Sequence, residues 1–328
     1  MKNKYLSKGI IKSIPGIEYL YKFHKATGGT DKARYCYSVW LRHLVLAHEH
    51  GYTSIPKKIA ELGPGDSLGI GLSALISGAD HYWALDAVKF TNVERNLEIF
   101  DELVMLFKQK SAISTTNEFP NLKPELTSYN FPAHILTDEH LEKVLNENRL
   151  NKIRDSIKAM NNPSPEEREG YMIKYQAPWK EANTIERETI DMIITQTVLQ
   201  HLDDLEEIYR IMYTWLKKNG IMSHMIDLSA LDLSDEWDGH WTYSDFEWKI
   251  LKGRNIYLIN REPYSKHIQC LHDLNLKIID EIKIKSEPTL QTQKSLAKKF
   301  RNMSIEDLSI SGLFIQAVKL IEISAGFF

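Results

Sequence analysis

Long hydrophobic runs are missing from this sequence. No stretch approaches the roughly 20 consecutive apolar residues that a membrane-spanning helix needs. The N-terminus has interrupted apolar residues and lacks the continuous apolar core of a signal peptide. We therefore expect a soluble chain with no membrane segment.

Cysteine is nearly absent as well. Only Cys36 and Cys270 are present, far apart and without CxxC spacing, which argues against a disulfide framework or a zinc ribbon. A reducing cytoplasm is the expected location. No metal site is predicted either, because the best candidate pair, His224 and Asp227, faces opposite sides of a regular strand.

An excess of positive charge is also lacking. The formal net charge is -3 and the pI is near 6.5, which argues against nucleic acid or an anionic membrane as a partner. A length of 328 residues with 43% hydrophobic residues is typical of a soluble globular protein with a large core. One decorated domain and two domains both fit this length.

The stretch from Lys57 to Asp86 has the pattern of a nucleoside-binding βαβ unit. A buried strand leads to Gly63-Pro64-Gly65, where glycine accepts a positive φ and lets a ligand approach the backbone. Asp86 follows the next strand, about twenty residues beyond the turn, where a carboxylate can accept the hydroxyls of a ribose. The predicted elements are a strand over 59–62, a helix over 68–77 and a strand over 82–85.

The spacing of the glycines bears on which nucleoside is bound. A dinucleotide site has two residues between its second and third glycines, whereas three residues separate Gly65 from Gly69 here. Asp66, close to the helix start, would repel a pyrophosphate. An acid at the strand end, Glu61, followed by Gly-x-Gly resembles motif I of class I S-adenosylmethionine (SAM) methyltransferases. Ser67 stands where that family usually has a third glycine.

The cationic charge of SAM fits this pattern. Its ammonium and sulfonium are attracted by acidic groups near the glycine turn, where a pyrophosphate is repelled. A nicotinamide or flavin site, and a Rossmann domain that binds no nucleotide, stay open as alternatives.

The resemblance continues along the chain, over residues 57–228. The run from Asp191 to Gln196 resembles the strand before the family's post-motif, and Thr197-Val-Leu-Gln-His201 resembles its valine-leucine-acid-His sequence. Gln200 replaces the acid here, and Lys217-Lys-Asn-Gly220 resembles the turn after the following helix. Further predicted strands cover 171–175, 189–194, 221–226, 276–284 and 313–321, and predicted helices cover 32–50, 92–110, 138–160 and 204–216.

These elements and the resemblance imply an α/β fold and a domain organisation. The expected fold is a Rossmann-like seven-stranded methyltransferase sheet with helices on both faces, which closes with an antiparallel hairpin. Residues 1–56 are predicted to form an N-terminal helical cover, and 57–328 the SAM-binding domain. Insertions are expected at about 111–168 and, rich in aromatic residues, at 229–271.

The resemblance also implies which residues hold the cofactor, SAM, with S-adenosylhomocysteine as the product. Arg34 and Tyr35 are predicted to touch the carboxylate of its methionyl end, and the alternative is a helix that packs its aromatic residues on the sheet. The predicted cofactor residues are Glu61, Gly63, Pro64, Gly65, Ser67, Asp86, Ala177, Gln196, Arg34 and Tyr35.

Candidate catalytic and acceptor-binding residues lie near the ends of the later strands. The candidate bases are His201, His224 and Asp227, although His224, inside a strand, also fits a buried core histidine. The predicted acceptor-binding residues belong to the insertion at 229–271, whose alternative role is a hydrophobic cap. They are His240, Trp241, Tyr243, Asn260 and Arg261.

The function that follows is methyl transfer to a small polar acceptor. O-methylation of a sugar or a related metabolite is expected. The alternatives are an N-methyltransferase acting on a metabolite or a macromolecule, and a non-catalytic SAM-fold subunit. No nucleic-acid or membrane partner is expected, and homodimerisation is left open by the sequence.

Overall fold

A seven-stranded sheet lies at the centre of the protein. The computed structural model describes residues 2, 4–7, 28–90, 92–160, 172–179, 181–253 and 258–320. The strands are β1 (Lys58–Leu62), β2 (His81–Leu85), β3 (Ile173–Gln176), β4 (Ile190–Gln196), β5 (Leu216–Asp227), β6 (Leu276–Lys285) and β7 (Ile310–Lys319). The predicted start of the third strand at 171 and the predicted end of the last at 321 lie outside the described residues.

The strand order confirms the predicted sheet. It is β3-β2-β1-β4-β5-β7-β6. The first five strands in this order are parallel, and β7 runs antiparallel to both of its neighbours. This is the expected seven-stranded α/β Rossmann-like sheet, closed by the expected antiparallel hairpin.

Helices cover both faces of the sheet. They are α1 (Ala33–Glu49), α2 (Gly69–Ile76), α3 (Val93–Lys108), α4 (Asp138–Val144), α5 (Glu147–Ala159), α6 (Leu205–Trp215), α7 (Asp245–Lys252), α8 (Tyr264–Asp273), α9 (Leu290–Ser295) and α10 (Ile305–Ser309). None of the described helices is long and apolar enough to cross a bilayer.

The helices on the two faces of the sheet pack into two different apolar cores. One core contains side chains of α1, α2, α3 and α5, and the other contains those of α6 and α8. Strand β4 contributes to both, because Met192 and Ile194 pack into the first core and Ile193 into the second, as the alternation of a strand requires. Helix α1, in the predicted cover, therefore packs on the sheet as part of the first core.

One predicted helix is interrupted. The apolar pattern predicts a single helix over 138–160, whereas the chain forms α4 and α5 with a break at Leu145 and Asn146. The side chain of Asn146 accepts a hydrogen bond from the amide of Arg149 at 3.0 Å and so caps a new helix. The capping signal at Asn146 outweighs the continuous apolar pattern.

The strand order creates a crevice at one edge of the sheet. The chain runs from β1 outward to β2 and β3 and then returns to β4 on the other side of β1. Leu62, the last residue of β1, is paired with Leu85 of β2 and Thr195 of β4. The residues that follow these three strands therefore meet at one point, where open α/β sheets bind their ligands.

Among the residues that the structure describes, four histidines are buried. Each is at most 2% exposed. Burial lowers the pKa of His43 to about 4, and the pKa values of His224, His240 and His267 to about 3. The folded protein therefore holds these four rings neutral in mildly acidic solution, where the unfolded chain protonates them.

We expect the protein to lose stability as the pH falls from 7 to 5. A histidine with a lowered folded pKa contributes stability above its ordinary pKa of about 6.5 and loses it below that value. Burial raises the pKa of Glu61 to about 8. This carboxyl therefore increases the free energy of unfolding as the pH falls, in opposition to the histidines. The net loss should be on the order of 4 kcal/mol in the free energy of unfolding, measured with urea.

The variant Glu61→Gln separates the two contributions. It removes the opposing carboxyl, so its unfolding free energy should fall more steeply between pH 7 and pH 5 than that of the wild type. An unfolding free energy that is the same at both pH values in the wild type would contradict the burial of the neutral rings.

Candidate functional site

Two glycines with positive φ form the turn at the carboxyl end of β1. Gly63 has φ +70 and Gly65 has φ +77, and Pro64 between them is buried. The Gly63 amide donates to the Leu85 carbonyl at 2.8 Å. A β-carbon on Gly63 would lie 2.5 Å from Cγ2 of Val198, in the turn after β4. Glycine is required at position 63 both for the backbone conformation and for space.

We expect Gly63→Ala to lower the free energy of unfolding by about 3 kcal/mol, because positive-φ strain and overlap with Val198 both act. Gly51→Ala is the matched control. Gly51 has φ +93, but no atom lies within 4 Å of an added β-carbon there, so only about 1 kcal/mol should be lost. Urea unfolding of both variants makes the comparison, and equal losses would contradict the close approach of Val198.

The backbone amides at this turn are already engaged by side-chain oxygens. Four amides between the turn and the start of α2 donate to acceptors from four different residues. The pairs are Gly65 with Asp86 Oδ2 at 3.4 Å, Asp66 with Thr30 Oγ1 at 3.0 Å, Leu68 with Asn96 Oδ1 at 2.7 Å and Gly69 with Ser67 Oγ at 3.1 Å. A phosphate group placed here would have to displace these oxygens.

Asp86 lies directly after β2, beside the turn. It is 7% exposed, and its Oδ1 accepts from the Ala87 amide at 2.7 Å. Burial raises the pKa of this carboxyl, although its backbone hydrogen bonds act against the shift. A cationic ligand nearby would stabilise the ionised form of Asp86.

Glu61, which is predicted to contact the cofactor, lies in the interior of the protein. It is buried, accepts a hydrogen bond from the Tyr82 hydroxyl, and burial raises its pKa to about 8. A carboxyl that is protonated at neutral pH attracts no cation. The acidic character of the turn therefore comes from Asp86 and Asp66, and Glu61 packs the turn against β2.

The loop that contains Ala177, a predicted cofactor residue, lies next to Asp86. The Asp86 amide donates to the Gln176 carbonyl at 3.0 Å, and the Trp179 amide donates to the Asp86 carbonyl at 3.1 Å. Ala177, between them, is partly exposed. The Trp179 ring packs edge-on against Trp215 at 5.5 Å and belongs to the edge of the second core.

Gln196 ends β4, and Tyr35 lies on α1. The Gln196 Oε1 lies 3.3 Å from Nε2 of His43, which is also on α1, and the Tyr35 ring packs edge-on against Phe119 at 5.5 Å. Arg34 is oriented differently: its guanidinium pairs with Glu118 at 3.2 Å and donates to the Ala112 carbonyl. The charge of Arg34 is therefore already paired within the protein.

The three candidate bases differ in their exposure and in their position along the strands. His201 is partly exposed in the turn after β4. Asp227 ends β5 and accepts from the Ser229 amide at 2.9 Å. His224 is completely buried, with Nδ1 at 3.0 Å from Thr195 Oγ1. This burial favours the interpretation that His224 is a core histidine, because a ring without access to the crevice cannot take a proton from an acceptor.

The aromatic insertion forms a cap with its own packed interior. Arg261 is 5% exposed, lies over the Trp248 ring at 4.4 Å and donates to the Tyr243 carbonyl at 2.7 Å. The Tyr243 hydroxyl donates to a backbone carbonyl within the cap, and the Trp241 indole donates to the Arg261 carbonyl. His240 is buried against Trp241. For these four residues the placement favours the alternative of a cap over direct acceptor contact.

Asn260 links this cap to the turn that carries His201. Its amide nitrogen Nδ2 donates to the carbonyls of Leu199 and Leu202, both at 2.9 Å. Its backbone amide donates to the Gln200 carbonyl at 2.6 Å. Asn260 therefore holds the turn around His201, a role that the sequence pattern does not indicate.

Sequence reasoning missed several residues of this site. Thr30 and Asn96 bind the amides of the glycine turn, and His43 contacts Gln196 from α1 with Nε2 at 3.3 Å from Oε1. Thr30 carried a weak signal as a polar residue before a helix, and the other two carried none. In the described part of the chain, no cluster of three or more His, Cys, Asp or Glu side chains is placed to hold a metal ion.

No family model matches the sequence, and no curated protein matches it. Many solved structures resemble this chain, and three methyltransferases of low sequence identity are among them. They are an S-adenosylmethionine-dependent methyltransferase from Mesorhizobium loti (11% identity, 84% of this chain and 96% of that chain, TM-score 0.39), phosphoethanolamine N-methyltransferase 2 from Haemonchus contortus with S-adenosylmethionine (14%, 86% and 53%, 0.40) and geranyl diphosphate C-methyltransferase from Streptomyces coelicolor (8%, 85% and 77%, 0.40). At these values the likenesses assign no activity to this chain.

Proposed function

We propose that this chain is a SAM-dependent methyltransferase that acts on a small polar acceptor. The observation that carries the proposal is the set of four engaged amides at the glycine turn, with the Asp86 carboxylate beside them. A dinucleotide would bring a pyrophosphate to a helix start whose donors are occupied, next to a negative charge. A cationic nucleoside needs no such donors and is attracted by the carboxylate.

The residues of the crevice fit the parts of SAM. Asp86 is positioned after β2 to accept the ribose hydroxyls, and the two glycines let the nucleoside approach the backbone. Ala177 lies in the loop proposed for the adenine, and Gln196 and Tyr35 stand at the side proposed for the amino-acid end. When bound, the cofactor supplies a methyl group on a sulfonium.

The acceptor is proposed to be a hydroxyl, for instance of a sugar or a related metabolite. A hydroxyl must lose a proton when it attacks the methyl group, and His201 is the partly exposed histidine next to the crevice. Asn260 holds the turn of His201 in place, which contributes to catalysis by orientation. An amine acceptor, and a protein that binds SAM without transferring its methyl group, are the alternatives to be tested.

Calorimetric titration of the same protein with SAM, S-adenosylhomocysteine and NAD tests the cofactor. We expect the first two to bind and NAD to give no heat. Incubation with methyl-labelled SAM and panels of sugars, small acids and amines then tests transfer. Binding of NAD without SAM would refute the proposal, and SAM binding without transfer to any panel would favour the non-catalytic alternative.

A further inference from the structure

Asn260 contacts both sides of the turn that carries His201. Its side-chain nitrogen Nδ2 donates to the carbonyl of Leu199, which precedes His201, and to the carbonyl of Leu202, which follows it, both at 2.9 Å. Its Oδ1 accepts a hydrogen bond from the Glu262 amide at 2.9 Å. Because this amide group is bonded at both ends, a displacement of the Asn260 backbone would displace the turn as well.

Arg261, the next residue, is held in the interior of the cap. It is 5% exposed, and its guanidinium lies over the Trp248 ring at 4.4 Å and over the Phe300 ring at 5.0 Å. Its Nη1 donates to the Tyr243 carbonyl at 2.7 Å and its Nη2 to Asp245 Oδ1 at 2.9 Å. A planar group held by two rings and two hydrogen bonds has little freedom to move.

The backbone of Arg261 is also held by the cap. Its φ is +71, in the left-handed region, and a non-glycine residue keeps such a conformation only where its surroundings enforce it. The Arg261 carbonyl accepts a hydrogen bond from the Trp241 indole at 3.1 Å. The peptide unit between Asn260 and Arg261 is planar and rigid, so the position of Arg261 in the cap sets the position of Asn260.

We propose that Arg261 is a positioning residue, which fixes Asn260 and through it the turn of His201, so that the cap and the candidate base are placed as one unit. The inference rests on the proposed function for the role of His201 as the base. Arg261 acts on the rate through orientation of that base, without touching the acceptor or the cofactor.

Amide hydrogen exchange of the ligand-free protein tests this coupling without any measurement of activity. The His201 amide donates to the Val198 carbonyl at 2.9 Å and the Leu202 amide to the Leu199 carbonyl at 3.3 Å, so both amides report on the turn. In Arg261→Ala we expect both to exchange about 10-fold faster than in the wild type. Faster exchange in the cap alone, with the turn unchanged, would overturn the proposal.

Arg261→Lys is a milder variant, which decides the question if Arg261→Ala does not fold. Lysine keeps a positive charge beside Asp245, but it lacks the planar group that lies over the two rings and the second donor in a fixed geometry. The two amides of the turn should exchange about 3-fold faster in this variant. Exchange of the turn at the wild-type rate would contradict the proposal.

A double-mutant cycle in kcat tests whether Arg261 acts through the base. At saturating SAM, Arg261→Ala should lower kcat about 10-fold through misplacement of the base, while SAM affinity stays at the wild-type value. In the His201→Asn background the same substitution should have no further effect, because no base is left to position. A further 10-fold loss in that background would show that Arg261 acts independently of His201 and would overturn the proposal.

Arg149→Ala is the matched control. The Arg149 side chain is 18% exposed, pairs with Asp80 at 3.2 Å and donates to the Leu75 carbonyl at 3.1 Å, but it lies on α5, outside the cap. Its loss should lower the free energy of unfolding without changing kcat or the exchange of the turn, and equal effects of the two arginine variants on the turn would contradict the proposal. A wild-type protein that transfers no methyl group would refute the proposed function, while the exchange measurement still decides whether Arg261 holds the turn.

Discussion

Asp86→Ala is expected to weaken SAM binding about 100-fold, because it removes a charged acceptor for two ribose hydroxyls. The apo protein should not be destabilised to a matching extent. Burial raises the pKa of Asp86, which means that the folded protein disfavours its charge when no ligand is present. Calorimetric titration with S-adenosylhomocysteine and urea unfolding measure the two quantities separately.

The opposite end of the same strand supplies the control. Asp80 precedes β2 and pairs with Arg149 at 3.2 Å, at the edge away from the glycine turn. Asp80→Ala should leave ligand affinity unchanged even if some stability is lost. An Asp86→Ala protein with wild-type affinity would refute the placement of the nucleoside over the turn, and with it the proposed function.

His201→Asn is expected to lower kcat about 100-fold, the usual contribution of a general base. Affinity for SAM should stay at the wild-type value, because the ring is proposed to act on the acceptor and not on the cofactor. The measurement is the rate of methyl transfer to the acceptor found in the panels, at saturating SAM, together with a binding titration.

Two further variants make this result specific. His272→Asn changes an exposed histidine near the end of α8 and should leave kcat unchanged. Asp227→Asn tests the remaining candidate at the carboxyl end of β5. If Asp227→Asn lost activity while His201→Asn kept it, the proton would be taken by the carboxylate, and the assignment of His201 would be wrong.

Local patterns were sufficient for most of the fold. The apolar run before Gly63 predicts β1, and the two β-rich runs over 276–284 and 313–321 predict the closing strands that form β6 and β7. The predicted helix over 92–110 is found at Val93–Lys108, where the Asn92 side chain caps it by accepting from the Arg95 amide at 2.8 Å. Such features depend on residues a few positions apart, so they can be read from the sequence.

The roles of the aromatic insertion could not be read in this way. Its composition fits both an acceptor pocket and a packed cap, and the decision depends on which neighbours each side chain meets. Arg261 lies between the rings of Trp248 and Phe300, at 4.4 and 5.0 Å. Phe300 belongs to a later part of the chain, so the pattern within the insertion does not reveal this contact.

The sequence by itself determined the glycine turn at Gly63 and Gly65 and the carboxylate at Asp86, because each is specified by periodicity and short spacing. The family resemblance implied the order of the strands. Only the tertiary structure decided which groups occupy the amides of the turn and which histidines are buried. The reason is the distance along the chain between partners. His43 and Ser223 are 180 residues apart in sequence and 2.6 Å apart between Nδ1 and Oγ, and no local rule connects them.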